Sequence, residues 1–258
     1  MPATAKKHFD EDIARANAIL GQAHGMPHST PEEKLVKEDL FRCSLMYGVG
    51  AVDAYFCDAY ADLIARTLRA KTLQGNIAIP NGIQNIVLPV SALFSNQTQR
   101  DNWKWRMAAR GIVEKDNVLS LSKIQTLFNP FFRKGNKLFD LTVINSLIIS
   151  HNAPNRVTGI TRTEYRRKKG KSLDGAIRSI RKKINERYSK IFQRRHDCIH
   201  NCDRPKQSVQ IISHPRADKV LKDLNLLVTV IDQHIESEFN EFLNCVGCNP
   251  VTKNSAGF

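Results

Sequence analysis

The chain has 258 residues, of which 41% are hydrophobic and 25% are charged, and its formal net charge is +14. This length is sufficient for one substantial hydrophobic core, and this composition excludes a largely disordered protein. No run of 18 or more apolar residues occurs, so we expect no membrane-spanning helix. The N-terminus lacks the apolar stretch of a secretory signal, and the six cysteines do not show the spacing of a disulfide framework. We therefore expect a reduced, cytoplasmic protein with no membrane partner.

The first part of the chain predicts two helices. Apolar residues recur at helical spacing over residues 5–22, and a loop at 25–29 follows. Thr30, Pro31 and Glu33 then supply an N-cap, a proline at the first helical position and a glutamate at the third, which together mark a helix start. The apolar residues behind this start recur every three or four positions, which predicts one long helix to about residue 73. We expect any bend in it near Gly48 and Gly50.

The rest of the chain also predicts helices and no strands. Helical patterns cover about 91–111 and 117–128, Asn129-Pro130 forms a break, and an apolar run covers 137–150. Proline and glycine residues within 151–171 indicate a surface loop. A basic helix follows from about 172 to 202, and a last helix runs from near Pro215 to Phe242.

These elements predict an all-α bundle with long antiparallel helices and inserted loops. We expect a single helical domain over residues 1–244, with its core at 31–242 and a basic loop and helix at 156–202. The remaining residues, 245–258, are predicted to be a flexible tail.

Most of the net charge lies in one segment. Residues 156–195 contain 15 Lys or Arg and three acidic residues, a net charge of +12, whereas the rest of the chain has 24 basic and 22 acidic residues. A field concentrated in this way attracts a polyanion such as RNA, although a solvated basic face or a linker has the same composition. The candidate RNA-binding residues in this segment are Arg166, Arg167, Lys168, Lys169, Arg181, Lys182, Lys183, Arg187 and Arg194.

The residues Arg195-His196-Asp197-Cys198-Ile199-His200, which we call the hexad, carry the candidate chemistry. On a helix His196 and His200 share a face, whereas Arg195 lies about 140° from His200. RNA cleavage requires a base for the 2′-hydroxyl proton, an acid for the leaving oxygen and a cation for the phosphorane. His200 suits the acid or base role and Arg195 suits the phosphate contact, with no metal or cofactor required. The same spacing also arises by chance at a solvated helix end.

The hexad resembles the signature of HEPN domains, in which an arginine and a polar residue are followed by three further residues and a histidine. The residues from Arg194 to Arg204, and the helix around Gly48–Tyr55, are most similar to the RiboL-PSP type within that superfamily. The resemblance covers about 31–242, and only the hexad is specific. It implies an HEPN-like helical bundle that acts as a metal-independent endoribonuclease of the toxin or defence type.

The resemblance also implies a homodimer in which two hexads face one cleft, and an antitoxin or regulatory protein as a further partner. In this arrangement Arg195 and His200 are catalytic, His196 supports their geometry, and Asp53 is a weaker candidate from the neighbouring helix. Members controlled by nucleotide transfer often carry a tyrosine two residues after the histidine, where this chain has Cys202. This difference argues against that form of regulation.

Two other functions remain open from the sequence. A non-catalytic HEPN module that binds nucleic acid or protein needs only the basic segment. A metal-binding helical domain would use His196, His200, Cys198 and Cys202, since helical residues four apart can share a zinc ion. Cys245 and Cys248 form at most half of such a site, and the Trp103–Arg106 stretch interleaves aromatic and basic residues that can stack on bases.

Overall fold

The computed structural model describes residues 3–79, 119–204 and 208–256, together with residues 83, 106, 109–111 and 113. These residues form helices and no strand, which confirms the all-α fold class. Most of the predicted 91–111 helix, including Trp103, lies outside the described residues. The helices are α1 (Ala3–Gly25), α2 (Pro31–Leu73), α3 (Leu121–Phe128), α4 (Leu141–Asn145), α5 (Asn155–Thr158), α6 (Arg162–Arg166), α7 (Gly170–His200), α8 (His214–Cys245) and α9 (Pro250–Ser255).

The start of α2 forms as its sequence predicts. Thr30 Oγ1 accepts a hydrogen bond from the Glu33 N–H at 3.2 Å, and Glu33 Oε2 accepts one from the Thr30 N–H at 3.2 Å. This reciprocal capping satisfies two amide groups at the helix N-terminus that have no partner within the helix. The helix continues to Leu73, and α1 extends the predicted 5–22 helix at both ends.

Several boundaries between residues 117 and 150 differ from the prediction. The helix expected from 117 begins at Leu121, because the Ser120 side chain caps it by accepting a hydrogen bond from the Lys123 N–H. A 3₁₀ turn at Asn129–Phe131 forms the expected break. The apolar run at 137–150 forms α4 and then a π-helix at Ser146–Ser150.

The segment 151–171 was predicted to be a surface loop, and this prediction is wrong in part. It contains α5 and α6, which are too short for helical periodicity to be visible in the sequence. Val157 and Tyr165 are buried, and the Tyr165 hydroxyl donates a hydrogen bond to Asn145 Oδ1 at 2.6 Å. The basic tract at 166–169 follows α6 at the surface, and all four of its side chains are exposed.

The segment 245–258, predicted to be a flexible tail, contains α9. The Asn249 side chain caps this helix by accepting a hydrogen bond from the Thr252 N–H at 2.7 Å. Cys248 and Thr252 are buried, and the Val246 carbonyl accepts a hydrogen bond from the Ala78 N–H at 3.2 Å.

The residues group into two compact units, where the sequence leads us to expect one domain. The aromatic unit comprises Met1–Lys6, Tyr55–Val143 and Ile231–Phe258, and the site unit comprises Lys7–Ala54 and Ile144–Val230. The helices α2 and α8 each contribute residues to both units. None of the helices in the described ranges combines the length and apolar character needed to cross a bilayer.

The core of the aromatic unit is built from edge-to-face aromatic contacts. The Phe128 ring lies 5.8 Å from that of Phe56 and 5.7 Å from that of Tyr60, measured between centroids. Phe131 contacts Phe242 in the same geometry at 5.5 Å. Such pairs add about 0.5–1.5 kcal/mol each beyond the burial of their area.

The core of the site unit is built around one apolar stripe of α7. Ile177, Ile180, Ile184, Tyr188 and Ile191 are buried at spacings of three and four residues, while most of the remaining surface of the helix is basic. The Tyr188 hydroxyl donates a hydrogen bond to the Asp223 carbonyl of α8 at 2.8 Å. This stripe fixes the rotation of α7 about its axis and therefore determines which hexad side chains face solvent.

Candidate functional site

The hexad occupies the last two turns of α7. His196 and His200 are exposed, and their rings lie 4.4 Å apart between centroids at an interplanar angle of 42°. Arg195 is half-buried, and Ile199, which is 46% exposed, lies on the same side of the helix. The two imidazoles, the guanidinium and the apolar side chain of Ile199 are therefore spread over about 140° of the helix surface.

The Arg195 guanidinium forms no ion pair with any residue that the structure describes. The positive charge of Arg195 acts on Asp53 of α2, because burial raises the pKa of that carboxyl and the charge of Arg195 opposes part of the rise. Asp53 Oδ1 is buried and accepts no hydrogen bond from the residues that the structure describes. The structure thus brings the weaker candidate from the sequence into electrostatic reach of Arg195 and leaves the guanidinium available to a ligand.

The centre of the hexad is anchored inside the unit. Asp197 is buried, with 6% of its surface exposed. Gln193 Nε2 donates to Asp197 Oδ1 at 2.9 Å, and Gln210 Nε2 approaches Oδ2 at 3.2 Å. A buried carboxylate with both oxygens satisfied resists displacement, so these contacts fix the orientation of the flanking hexad residues.

A second buried carboxylate, Asp203, lies just beyond the helix end. It is fully buried, and its Oδ2 accepts hydrogen bonds from Arg42 Nε at 2.7 Å and from Arg194 at 2.6 Å. Arg194 also donates to the Gln210 side-chain oxygen at 2.5 Å, and Arg42 donates to the Gln210 carbonyl at 3.0 Å. The contacts of Arg42, Asp203 and Gln210 are not predictable from the sequence, because nothing in their local pattern indicates, for example, that Arg42 pairs with a residue 161 positions away.

The chain leaves α7 through two residues in the left-handed region. Cys202 has φ +45° and Asp203 has φ +60°, and the Asp203 N–H donates back to the Asp197 carbonyl at 2.9 Å. Such a conformation is uncommon for residues other than glycine, so the buried ion pairs of Asp203 stabilise it. Burial, together with the charge of Asp203, raises the pKa of the Cys198 thiol to about 11. This thiol is therefore protonated near neutral pH.

The candidate RNA-binding residues fall into two groups. Seven have exposed side chains: Arg166, Arg167, Lys168, Lys169, Arg181, Lys182 and Lys183. Arg187 and Arg194 instead form ion pairs with buried carboxylates, since Arg187 Nε donates to Asp223 Oδ2 at 2.8 Å and Arg194 contacts Asp203. Arg156 pairs with the same Asp223 at 2.6 Å. A role for Arg187 and Arg194 in RNA binding remains a prediction, and their observed contacts are structural.

The structure gives less support to the alternative sites that the sequence suggested, which are a metal site and an aromatic and basic stretch. No group of three or more His, Cys, Asp or Glu side chains within the described ranges is arranged to hold a metal ion. Cys202 and Cys245 are exposed and Cys248 is buried. The Trp103–Trp105 part of the aromatic and basic stretch lies outside the described residues.

Comparison with known proteins identifies no relative. No protein-family model, no curated protein and no solved structure matches the chain. The case for a function therefore depends on the hexad and on the surfaces around it.

Proposed function

We propose that this protein is an endoribonuclease of the HEPN superfamily, most similar to the RiboL-PSP type, with Arg195 and His200 as its catalytic residues. The proposal rests on the observation that these groups are not used in contacts that stabilise the fold. Arg195 has no ion-pair partner in the described part of the chain, and both imidazoles of the hexad are exposed beside it. A structural arginine at a helix end would be expected to pair with a carboxylate, as Arg194 does.

The chemistry follows from these side chains. His200 accepts the proton of the RNA 2′-hydroxyl while the 2′ oxygen attacks the adjacent phosphorus. The bond from phosphorus to the 5′ oxygen breaks, and a second imidazole gives that oxygen its proton. Arg195 donates hydrogen bonds to the non-bridging oxygens, whose charge grows in the transition state. The products are a 2′,3′-cyclic phosphate and a 5′-hydroxyl, and the RNA itself supplies the nucleophile.

A second copy of the chain completes the site in this proposal. Arg195 and His200 point about 140° apart on one helix, so a single hexad does not enclose a phosphate. Two hexads facing each other provide two imidazoles, one as base and one as acid. The exposed Ile199 provides an apolar contact at the centre of such an interface. An antitoxin or another regulatory protein would act by covering the same surface.

The test is cleavage of RNA by the purified protein in EDTA. We expect wild type to cut, with loss of about 10²–10⁴-fold in rate for His200→Ala and about 10²–10³-fold for Arg195→Ala. His28→Ala is the matched control, because His28 is an exposed histidine in the loop between α1 and α2 and lies outside the hexad, so this variant should cut as wild type does. Thermal unfolding of all four proteins shows whether any loss comes from misfolding.

Two outcomes contradict the proposal. Equal cleavage by wild type and His200→Ala would exclude the hexad as the catalytic site. The alternative function, a non-catalytic nucleic-acid-binding module, would be indicated if the RNA stays intact and if wild type and His200→Ala bind it equally, with a steep dependence on salt. The seven exposed basic residues are the observation that favours this alternative.

A further inference from the structure

A cavity of about 590 Å³ lies within the site unit, against the face of α7 next to the hexad. This volume is within the range of pockets that bind small ligands, about 300–1,000 Å³. Its walls come from α7, from α8, from residues 210–212 between them and from Leu45 of α2. No function assigned above uses this cavity.

The floor of the cavity is apolar and rigid. Leu45, Ile191, Ile212 and Ala217 line it, and each is buried in the core. Aliphatic walls of this kind hold the flat face of a nucleotide base, in the way that sites for extruded bases use apolar side chains. The Gln193 side chain also lines the cavity, and its amide nitrogen donates to Asp197. Its side-chain oxygen accepts no hydrogen bond within the described part of the chain, so it can accept one from a base.

The rim of the cavity is cationic. Lys190 and Arg216 line it with exposed side chains, and neither forms an ion pair with a described residue. Arg187 and Arg194 also line the cavity, but their carboxylate partners already compensate their charges. Arg216 donates a hydrogen bond to the Ile211 carbonyl at 3.1 Å, and the charge of Lys190 helps to lower the pKa of Glu186. Since neither cation is held in an ion pair with a described residue, the rim is where a ligand phosphate would lie if its base occupied the apolar floor.

The cavity and the hexad occupy adjoining faces of the same helix turns. Arg194 and Asp197 line the cavity. Arg195 follows Arg194 and Cys198 follows Asp197, and each is directed about 100° further around the helix than the residue before it. A strand whose phosphate contacts Arg195 would therefore lie beside the face of α7 that lines the cavity.

From these observations we propose that the cavity binds one unstacked nucleotide of the RNA next to the phosphate that is cut, and so determines base preference. This inference rests on the proposed function, because it names a subsite of the same RNA. A cavity of fixed shape accepts some bases better than others, so the preference is set by the fit of the base and by its hydrogen bond to Gln193.

The test measures binding rather than cleavage. Short single-stranded RNAs made only of adenylate, only of cytidylate or only of uridylate are titrated into the His200→Ala protein, which keeps them intact. We expect affinities that differ by about 10-fold or more between the best and the worst RNA, a difference of about 1.4 kcal/mol. Ser189→Trp should bring them within about 3-fold of each other, because Ser189 is an exposed residue of the cavity and an indole there would block it.

The matched control is Ser179→Trp, an exposed serine on the same helix outside the cavity, which should keep the preference of the parent. Lys190→Ala and Lys182→Ala each remove a cation and leave the base contacts in place, so each should weaken all three RNAs about equally. Inorganic phosphate and free mononucleotides are added as competitors. The proposal is overturned if Ser189→Trp weakens the binding of a mononucleotide but has no effect on the binding of RNA. The cavity would then be a site for free nucleotides.

The outcomes separate this inference from the proposed function. Cleavage that depends on His200, together with a base preference unchanged in Ser189→Trp, overturns the inference alone. If Ser189→Trp loses the base preference but wild type does not cleave RNA, the cavity binds a base as inferred and the catalytic proposal is overturned. Absence of RNA binding overturns both.

Discussion

Two faces of the end of α7 use the same residue types differently. On the inner face Arg187 and Arg194 pair with the fully buried Asp223 and Asp203, and Asp197 accepts hydrogen bonds from two glutamines. The half-buried Arg195 and the exposed His196 and His200, which together we call the outer face, have no ion-pair partner among the described residues.

Arg194 and Arg195 are the clearest case, because they are adjacent and chemically identical. Arg194 stabilises the fold through Asp203 and Gln210, whereas Arg195 remains available to a ligand. A count of positive charge along the sequence therefore overstates the number of cations that can bind RNA. Pairing with buried carboxylates distinguishes the structural arginines from the candidate functional one.

The largest effect that tests this comparison is expected from Asp203→Ala. Removal of this carboxylate leaves Arg42 and Arg194 without their buried partner, and breaking a buried ion pair in this way costs about 3–5 kcal/mol. The free energy of unfolding from urea denaturation measures the loss. Asp174→Ala is the control, since Asp174 is exposed on the same helix and its loss should change stability by no more than about 0.5 kcal/mol. If the two substitutions reduce the free energy of unfolding equally, the ion pairs of the inner face do not anchor the end of α7.

The sequence predicts the parts of this arrangement that depend on local pattern. The capping residues Thr30 and Glu33 lie within four residues of each other, and the apolar stripe of α7 repeats along one helix. The pairing of Arg42 with Asp203 is different, because it joins residues that are distant in sequence and follows only from tertiary packing. The hexad itself is visible in the sequence, but its two faces are not.

The second comparison concerns the two glycines of α2. A Cβ at Gly48 would collide with the Leu221 side chain of α8 and lie 3.5 Å from Ile13 of α1, so Gly48→Ala is expected to destabilise the protein by about 1–3 kcal/mol. A Cβ at Gly50 would have no atom of the described residues within 4 Å. Gly50→Ala should therefore raise stability by up to about 1 kcal/mol, since alanine favours the helix.

Thermal or urea denaturation of both glycine variants checks this prediction. If both variants gain stability, α8 does not approach α2 closely at Gly48. If both lose stability, glycine is required at this point for a bend, as the sequence alone leads us to expect.

The smallest expected effect is the contribution of Asp53, which acts electrostatically on Arg195, to the pH dependence of stability. Burial raises the pKa of this carboxyl in the folded protein, so its ionised form destabilises the fold. The stability that the protonated form contributes is complete below the ordinary aspartate pKa of about 3.9 and is lost as pH rises through the raised value. Wild type should therefore lose stability relative to Asp53→Asn as pH rises from about 4 to 7.

Arg195→Ala should enlarge this loss, because the positive charge of Arg195 opposes the rise in the Asp53 pKa. A double-mutant cycle of Arg195→Ala and Asp53→Asn at neutral pH should give a coupling of about 0.5–1 kcal/mol that decreases as salt is added. Zero coupling at low salt would remove Asp53 from the site. If RNA binds at Arg195, its phosphate replaces Asp53 as the main electrostatic partner, so the coupling measured with bound RNA should be smaller than without it.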